Sequence, residues 1–158
     1  MEIQFLSIGK TKEKYYLEAI KEYTKRLSKY TKVTHIEVKD LNVGSNASEK
    51  DIEQIKIKES EALKEKIKDG YVIALALNGK MLDSIALSEK IEDIKTYHHS
   101  TIIFLIGGSH GLSDELIQRA DLKLKFSPMT FPHQLAKVMI MEQVFRAMKI
   151  VNNEPYHK

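Results

Sequence analysis

Hydrophobic positions along the chain switch repeatedly between the spacing of strands and that of helices. Ile3, Phe5 and Ile8 predict a strand over residues 2–9, and Tyr15, Ala19, Tyr23 and Leu27 recur at the four-residue spacing of a helix over 12–29. A β-rich run at 33–38 precedes the polar residues 42–48, which predict a loop. Ser48 then stands ready to cap a charged helix with Glu49 and Asp51 in its first turn, and the glycine of Asp69-Gly70 supplies a stop. Residues 71–77 and 101–106 are nearly continuous apolar runs, the pattern of strands covered on both faces. Ile85, Leu87, Ile91 and Ile94 predict a helix between them, a short helix is expected over 112–120, and Leu122, Leu124 and Phe126 alternate as a last strand. A final helix is expected over 131–151.

Strand and helix thus alternate five times, which predicts an α/β fold: a mainly parallel sheet flanked by helices, with ligands received at the carboxyl ends of its strands. The loops after Leu77, Ile106 and Phe126 are the places where such a site is expected. No repeat or low-complexity linker divides the 158 residues, so a single domain is predicted.

Composition narrows the class. Apolar residues make up 42% and charged residues 30%, as in ordinary globular chains, so disorder and fibrous repeats are excluded. The chain has no cysteine, which removes disulfides, thiolate catalysis and cysteine-based zinc sites. With no export signal and no long apolar run, a cytoplasmic protein is expected, without membrane or metal. The formal charge of +3 does not by itself identify a nucleic-acid binder. Its distribution is more informative: residues 1–32 hold eight Lys/Arg against four Glu, whereas 45–69 mix seven acids with six bases, as on a solvated helix. The first segment is the one suited to phosphate.

Two loops carry candidate chemistry. Ile106-Gly107-Gly108-Ser109-His110-Gly111 joins a buried strand to a helix, and its glycines either admit a ligand close to the backbone or simply serve a tight turn. It lacks the dinucleotide-binding pattern Gly-x-Gly-x-x-Gly. Ser127-Pro128-Met129-Thr130-Phe131-Pro132-His133 follows the next strand and opens the final helix, whose first amides are free donors. His133 in that first turn reads either as a capping side chain or as a proton acceptor. On neighbouring strands the two loops would share one pocket.

The final helix has 13 apolar residues among 21, too many for one stripe, with Ala136, Ile140, Val144 and Val151 as a second apolar line. Burial on two sides predicts a homodimer; the competing reading packs that line beneath the N-terminal helix of the same chain. Glu142 and Arg146 stand at i, i+4 and predict a helical ion pair. The ending Asn153-Glu154-Pro155-Tyr156-His157-Lys158 is polar and reads as a frayed tail, yet its side chains can stack, exchange protons and contact phosphate.

Taken together, several segments resemble one family over essentially the whole chain. They are Ile-x-Phe-x-x-Ile-Gly-Lys and Glu-Lys-Tyr-Tyr near the start, Leu-x-Gly-Lys-Met, Ile-Gly-Gly-Ser-x-Gly-Leu, Met-Thr-Phe-Pro-His-Gln, Glu-Gln-Val-Phe-Arg-Ala and the final Pro-Tyr-His-Lys. The family is that of the RlmH methyltransferases of the SPOUT class, which methylate N3 of a pseudouridine in the 23S RNA of the large ribosomal subunit. The resemblance implies a C-terminal trefoil knot, a homodimer, S-adenosylmethionine as cofactor and the ribosome as partner. It places the cofactor against Leu75, Gly107, Phe126, Ser127, Pro128, Met129, Thr130 and Phe131. His110 and Pro128 are its small departures.

The expected chemistry is methyl transfer to a weakly acidic imide, for which a base or a cation that favours the deprotonated form is needed. His133, Arg146 and His157 are the candidates. Tyr156 and His157 are expected against the target nucleotide, within the chain or across a dimer, with Lys158 and Arg146 near phosphate. Two other readings stay open: a SPOUT enzyme acting on another RNA position, such as a ribose hydroxyl of transfer RNA, and a non-catalytic ribosome-binding factor with the same fold.

Overall fold

Side chains of the central strands point alternately to two faces, and both faces are covered. In the computed structural model, which describes residues 1–97 and 99–158, ten elements alternate. They are β1 (Glu2–Ile8), α1 (Lys14–Leu27), β2 (Lys32–Val38), α2 (Glu49–Lys64), β3 (Tyr71–Lys80), α3 (Ser84–Tyr97), β4 (Thr101–Ile106), α4 (Asp114–Gln118), β5 (Leu122–Leu124) and α5 (His133–Val151). The strands form one parallel sheet in the order β2-β1-β4-β3-β5. Ile3, Phe5, Ile73, Ile102, Phe104 and Ile106 face one core with α1, α3 and α5. Leu6, Ile8, Val72, Ala74, Ile103 and Leu105 face the other, with α2 and α4. The fivefold β-α alternation and the doubly covered central strands therefore hold.

Several boundaries differ from expectation for local reasons. The charged helix ends at Lys64, because Lys66 and Ile67 donate to carbonyls only three residues back, a tightening that turns Ile67 onto the second core. Gly70 is not its stop; a Cβ there would lie 3.0 Å from the Thr101 carbonyl oxygen, so it serves strand packing instead. β3 continues to Lys80 through an irregularity after Leu75, and Lys80 re-pairs with Leu124. That return needs Gly79, since a Cβ would sit 2.7 Å from the Leu124 backbone. β5 ends at Leu124, leaving Phe126 in the following loop.

The final helix starts at His133 after Pro132, with Phe131 in the loop and edge-on to Phe126. Of its second apolar line, Ile140 and Val144 are fully buried in the core shared with α1 and α3 of the same chain, whereas Ala136 and Val151 stay part-exposed. Burial of its middle is thus met within the chain, as in the reading that packs it beneath the N-terminal helix. The helix is also fastened by charge. Lys137, 1% exposed, donates to Glu37 at 2.8 Å and to Ser7 at 3.1 Å, tying α5 to the two strands β1 and β2. A buried ammonium is tolerable only with such partners. Beside it His35 stacks on Phe5 and meets the Thr24 hydroxyl at 2.8 Å, and burial, then the Lys137 charge, pushes its pKa down to about 4.

Candidate active site

The carboxyl ends of β3, β4 and β5 open into one cavity of about 680 Å³. One strand segment and two loops enclose it: Leu75–Leu77 at the irregular part of β3, Ile106–Gly111 after β4, and the segment from Leu124 to His133 after β5. The second and third are the loops singled out by the strand pattern; in place of the loop expected after Leu77, the first wall belongs to β3 itself, which runs on to Lys80. Leu75, Gly107, Phe126, Ser127, Met129, Thr130, Phe131 and His133 line the cavity; Pro128 stands off its wall.

Backbone sterics explain the glycine loop. A Cβ at Gly107 would lie 2.7 Å from the carbonyl carbon of Gly111, so the chain folds back on itself too closely for any side chain. The Gly111 amide closes that turn on the Gly108 carbonyl at 3.0 Å, with Gly111 at φ +80. The tight-turn and ligand-cradle readings are therefore compatible: the same contraction sets backbone groups against the cavity. On the opposite wall the Ser127 hydroxyl accepts from the Met129 amide at 2.9 Å, holding the loop in a local turn.

His133 is half-buried at the cavity edge. Burial lowers its pKa, opposed by the charges of Asp40 and then Glu13, so at neutral pH the ring is uncharged and can accept a proton. Neither acid was visible as a neighbour in the sequence, because the topology brings them in from the β2–α2 loop and the start of α1.

Arg146, Tyr156 and His157 do not reach this cavity. They form a second cluster at the far end of α5, about 20 Å along the helix from His133. Glu142 is its hub: it accepts from the Arg146 guanidinium at 2.7 and 3.1 Å and from the Tyr156 hydroxyl at 3.1 Å. The expected Glu142–Arg146 pair is present, and the Glu142 bond holds the Arg146 pKa up. Arg146 also lies over the Tyr156 ring at 4.6 Å and meets His157 Nδ1 at 3.4 Å. The tail is docked rather than frayed. Tyr156 packs edge-on against Phe145, and Glu154 accepts from Lys149 and, at 2.7 Å, from Tyr30. His157 and Lys158 remain exposed.

A largely apolar cavity, with His133, His110 and Lys125 among its lining side chains, suits an organic ligand with an apolar body and a few polar groups, and transfer of one proton. A family model described as "Predicted SPOUT methyltransferase" matches residues 1–157, and the chain belongs to the SPOUT methyltransferase family. Among curated proteins it is 54% identical to the ribosomal RNA large subunit methyltransferase H of Clostridium perfringens and 50% identical to that of Bacillus pumilus, in each case over 100% of both chains. Among solved structures it resembles the tRNA (m1G37) methyltransferase of Aquifex aeolicus, with a TM-score of 0.54 at 13% identity over 100% of this chain and 75% of that one, a likeness of fold alone.

Proposed function

We propose that the chain methylates N3 of a pseudouridine in 23S ribosomal RNA of the large subunit, with S-adenosylmethionine as donor, as a homodimer. The observation that carries this reading is the cavity between β3 and the two loops after β4 and β5, beside an uncharged His133, in a chain about half identical over its full length to large-subunit ribosomal RNA methyltransferases.

The cavity fits the cofactor in size: about 680 Å³ falls within the usual range for small-molecule sites. Leu75, Gly107 and the 126–131 loop would hold it; when bound, it supplies an already activated methyl group. The work left to the protein is alignment and one proton. His133, held neutral by burial, takes the imide proton at a ring nitrogen, and Arg146 stabilises the negative charge that develops on the base. Tyr156 and His157 contact the target nucleotide, with Lys158 near phosphate. Because His133 and Arg146 are about 20 Å apart on one rigid helix, they serve the same reaction only if the tail cluster of one protomer meets the cavity of the other. The exposed apolar side chains Leu77, on the cavity wall, and Met81 and Ile85, which follow it in the chain, support burial against a second copy. A C-terminal knot belongs to the same reading.

Nucleoside mass spectrometry after incubation with cofactor and either naked RNA, separate subunits or whole ribosomes tests it. N3-methylpseudouridine is expected in the large-subunit RNA. A methyl group on another nucleotide, or none despite cofactor binding, defeats the proposal.

A further inference from the structure

The junction of β1 and α1 lies against the rim of the cavity. Gly9, at φ +86, turns the chain so that a Cβ there would be 3.8 Å from His133 Nε2. The next residues are pinned to the first turn of α5: the Thr11 hydroxyl donates to Gln134 at 2.6 Å, and the Gln134 amide donates to the Lys10 carbonyl at 3.4 Å. From this anchored strap the chain enters α1, and its first turn presents two adjacent rings. Tyr15 is 64% exposed and its centroid is 4.5 Å from that of Tyr16, with the planes tilted by 60°.

A tyrosine this exposed contributes nothing to the core. Lys10, Lys12 and Lys14 all face solvent within five positions, with Glu13 among them, and of the three, among the described residues, only Lys14 forms an ion pair, with Glu18 at 3.9 Å. Rings interleaved with lysines are the arrangement by which proteins stack bases and follow the phosphates of single-stranded nucleic acid. Lysine is depleted from the cores of protein–protein interfaces, which argues against a second copy as the occupant.

We propose that Tyr15 and Tyr16, with Lys10 and Lys12, form a stacking and phosphate-contact platform for the RNA nucleotide flanking the one that enters the cavity. This rests on the RNA-methylation reading and adds a surface to it. The strap makes the platform stiff relative to His133, so a base stacked on Tyr15 fixes how far its neighbour can reach inward.

The test uses the full chain, a short fluorescein-labelled single-stranded RNA and whole ribosomes. Y15A/Y16A is expected to weaken RNA binding roughly tenfold or more and to raise KM for ribosomes in step, with kcat and cofactor Kd unchanged. Y15F/Y16F keeps the rings and is expected to match the parent. K10A/K12A is expected to lower the slope of log Kd against log salt by about 1.4, the release of counterions from two phosphates of a single strand. Unchanged RNA affinity in Y15A/Y16A overturns the proposal. So does a change of oligomeric state in light scattering, which would assign the tyrosines to a subunit contact. Should Y15A/Y16A fail to fold, the salt slope of K10A/K12A decides. If ribosomes are methylated with an unaltered KM in Y15A/Y16A, the platform fails and the function stands. If RNA binding depends on the rings but no methyl group is transferred, the function fails and the platform stands.

Discussion

The two ends of α5 are built by opposite means. At its start, the cavity is made of backbone: loops contracted around Gly107, a turn held by Ser127, and a half-buried histidine kept neutral by burial. At its end, the tail cluster is made of side chains: Glu142 gripping Arg146 and Tyr156, and Glu154 gripping Lys149 and Tyr30. Backbone-held walls give fixed geometry and, with Leu75, Leu77, Phe126 and Phe131, a largely apolar lining, which suits a ligand recognised by shape. Paired side chains near solvent keep charge at hand, and their hydrogen bonds can be exchanged for bonds to phosphate or a base at small cost. The cavity is where a small molecule is fitted; the tail is where a large anion is met.

The largest effect is expected from breaking each end separately and then combining the halves. His133→Ala and removal of residues 156–158 should each lower kcat by about a hundredfold or more, with cofactor affinity retained in the truncated chain. Mixing the two inactive proteins under exchange should restore roughly a quarter of parental activity, since half the dimers are mixed and each holds one intact site. No recovery would mean that the tail acts within its own chain. Next in size is Gly107→Ala, where overpacking of about 1–3 kcal/mol against Gly111 should weaken cofactor binding by tenfold or more in calorimetry while the tail cluster is untouched.

Smaller effects concern stability. His35 has a pKa of about 4 in the fold against 6.5 in the unfolded chain, so the unfolded chain binds the proton first as pH falls. Stability present above pH 6.5 is therefore lost on the way down towards pH 4, by at most ~1.4 kcal/mol per pH unit from this group. His35→Gln should flatten that part of the urea-unfolding profile; an unchanged slope would mean that other groups govern it. Smallest is Tyr30→Phe, which removes one hydrogen bond to Glu154 and should cost about 0.5–1 kcal/mol by urea denaturation, loosening the tail without touching the cavity.

The same contrast decides what could be read from the sequence. The cavity was legible because its causes are local: apolar runs mark buried strands, glycine and proline mark the loops after them, and the strand order brings those loops together. The tail was half legible. Glu142 and Arg146 declare themselves by i, i+4 spacing, but Tyr156 reaches Glu142 from fourteen positions away and Tyr30 reaches Glu154 from across the chain, contacts that no periodicity encodes. Helix ends were misplaced where tertiary packing overrode local signals, as when Ile67 is drawn to the second core and ends α2 before Gly70. The second apolar line of α5 had two readings in the sequence, because a helix wedged between two others is apolar nearly all round whether or not a second copy adds to its burial; Ile140 and Val144 are covered within the chain.

Lys137 has a consequence beyond stability. Its ammonium, buried against Glu37 and Ser7, fixes the rotation of α5 about its own axis as well as its position, and Arg146 lies nine residues further along the same rod. Angular phase is thus transmitted along the helix: one residue inserted between Lys137 and Glu142 would swing the tail cluster by about 100° while leaving the cavity as it stands, whereas seven would return it to nearly the same heading. The helix is in this sense a shaft, with a keyed end at the strands and a working end at the tail.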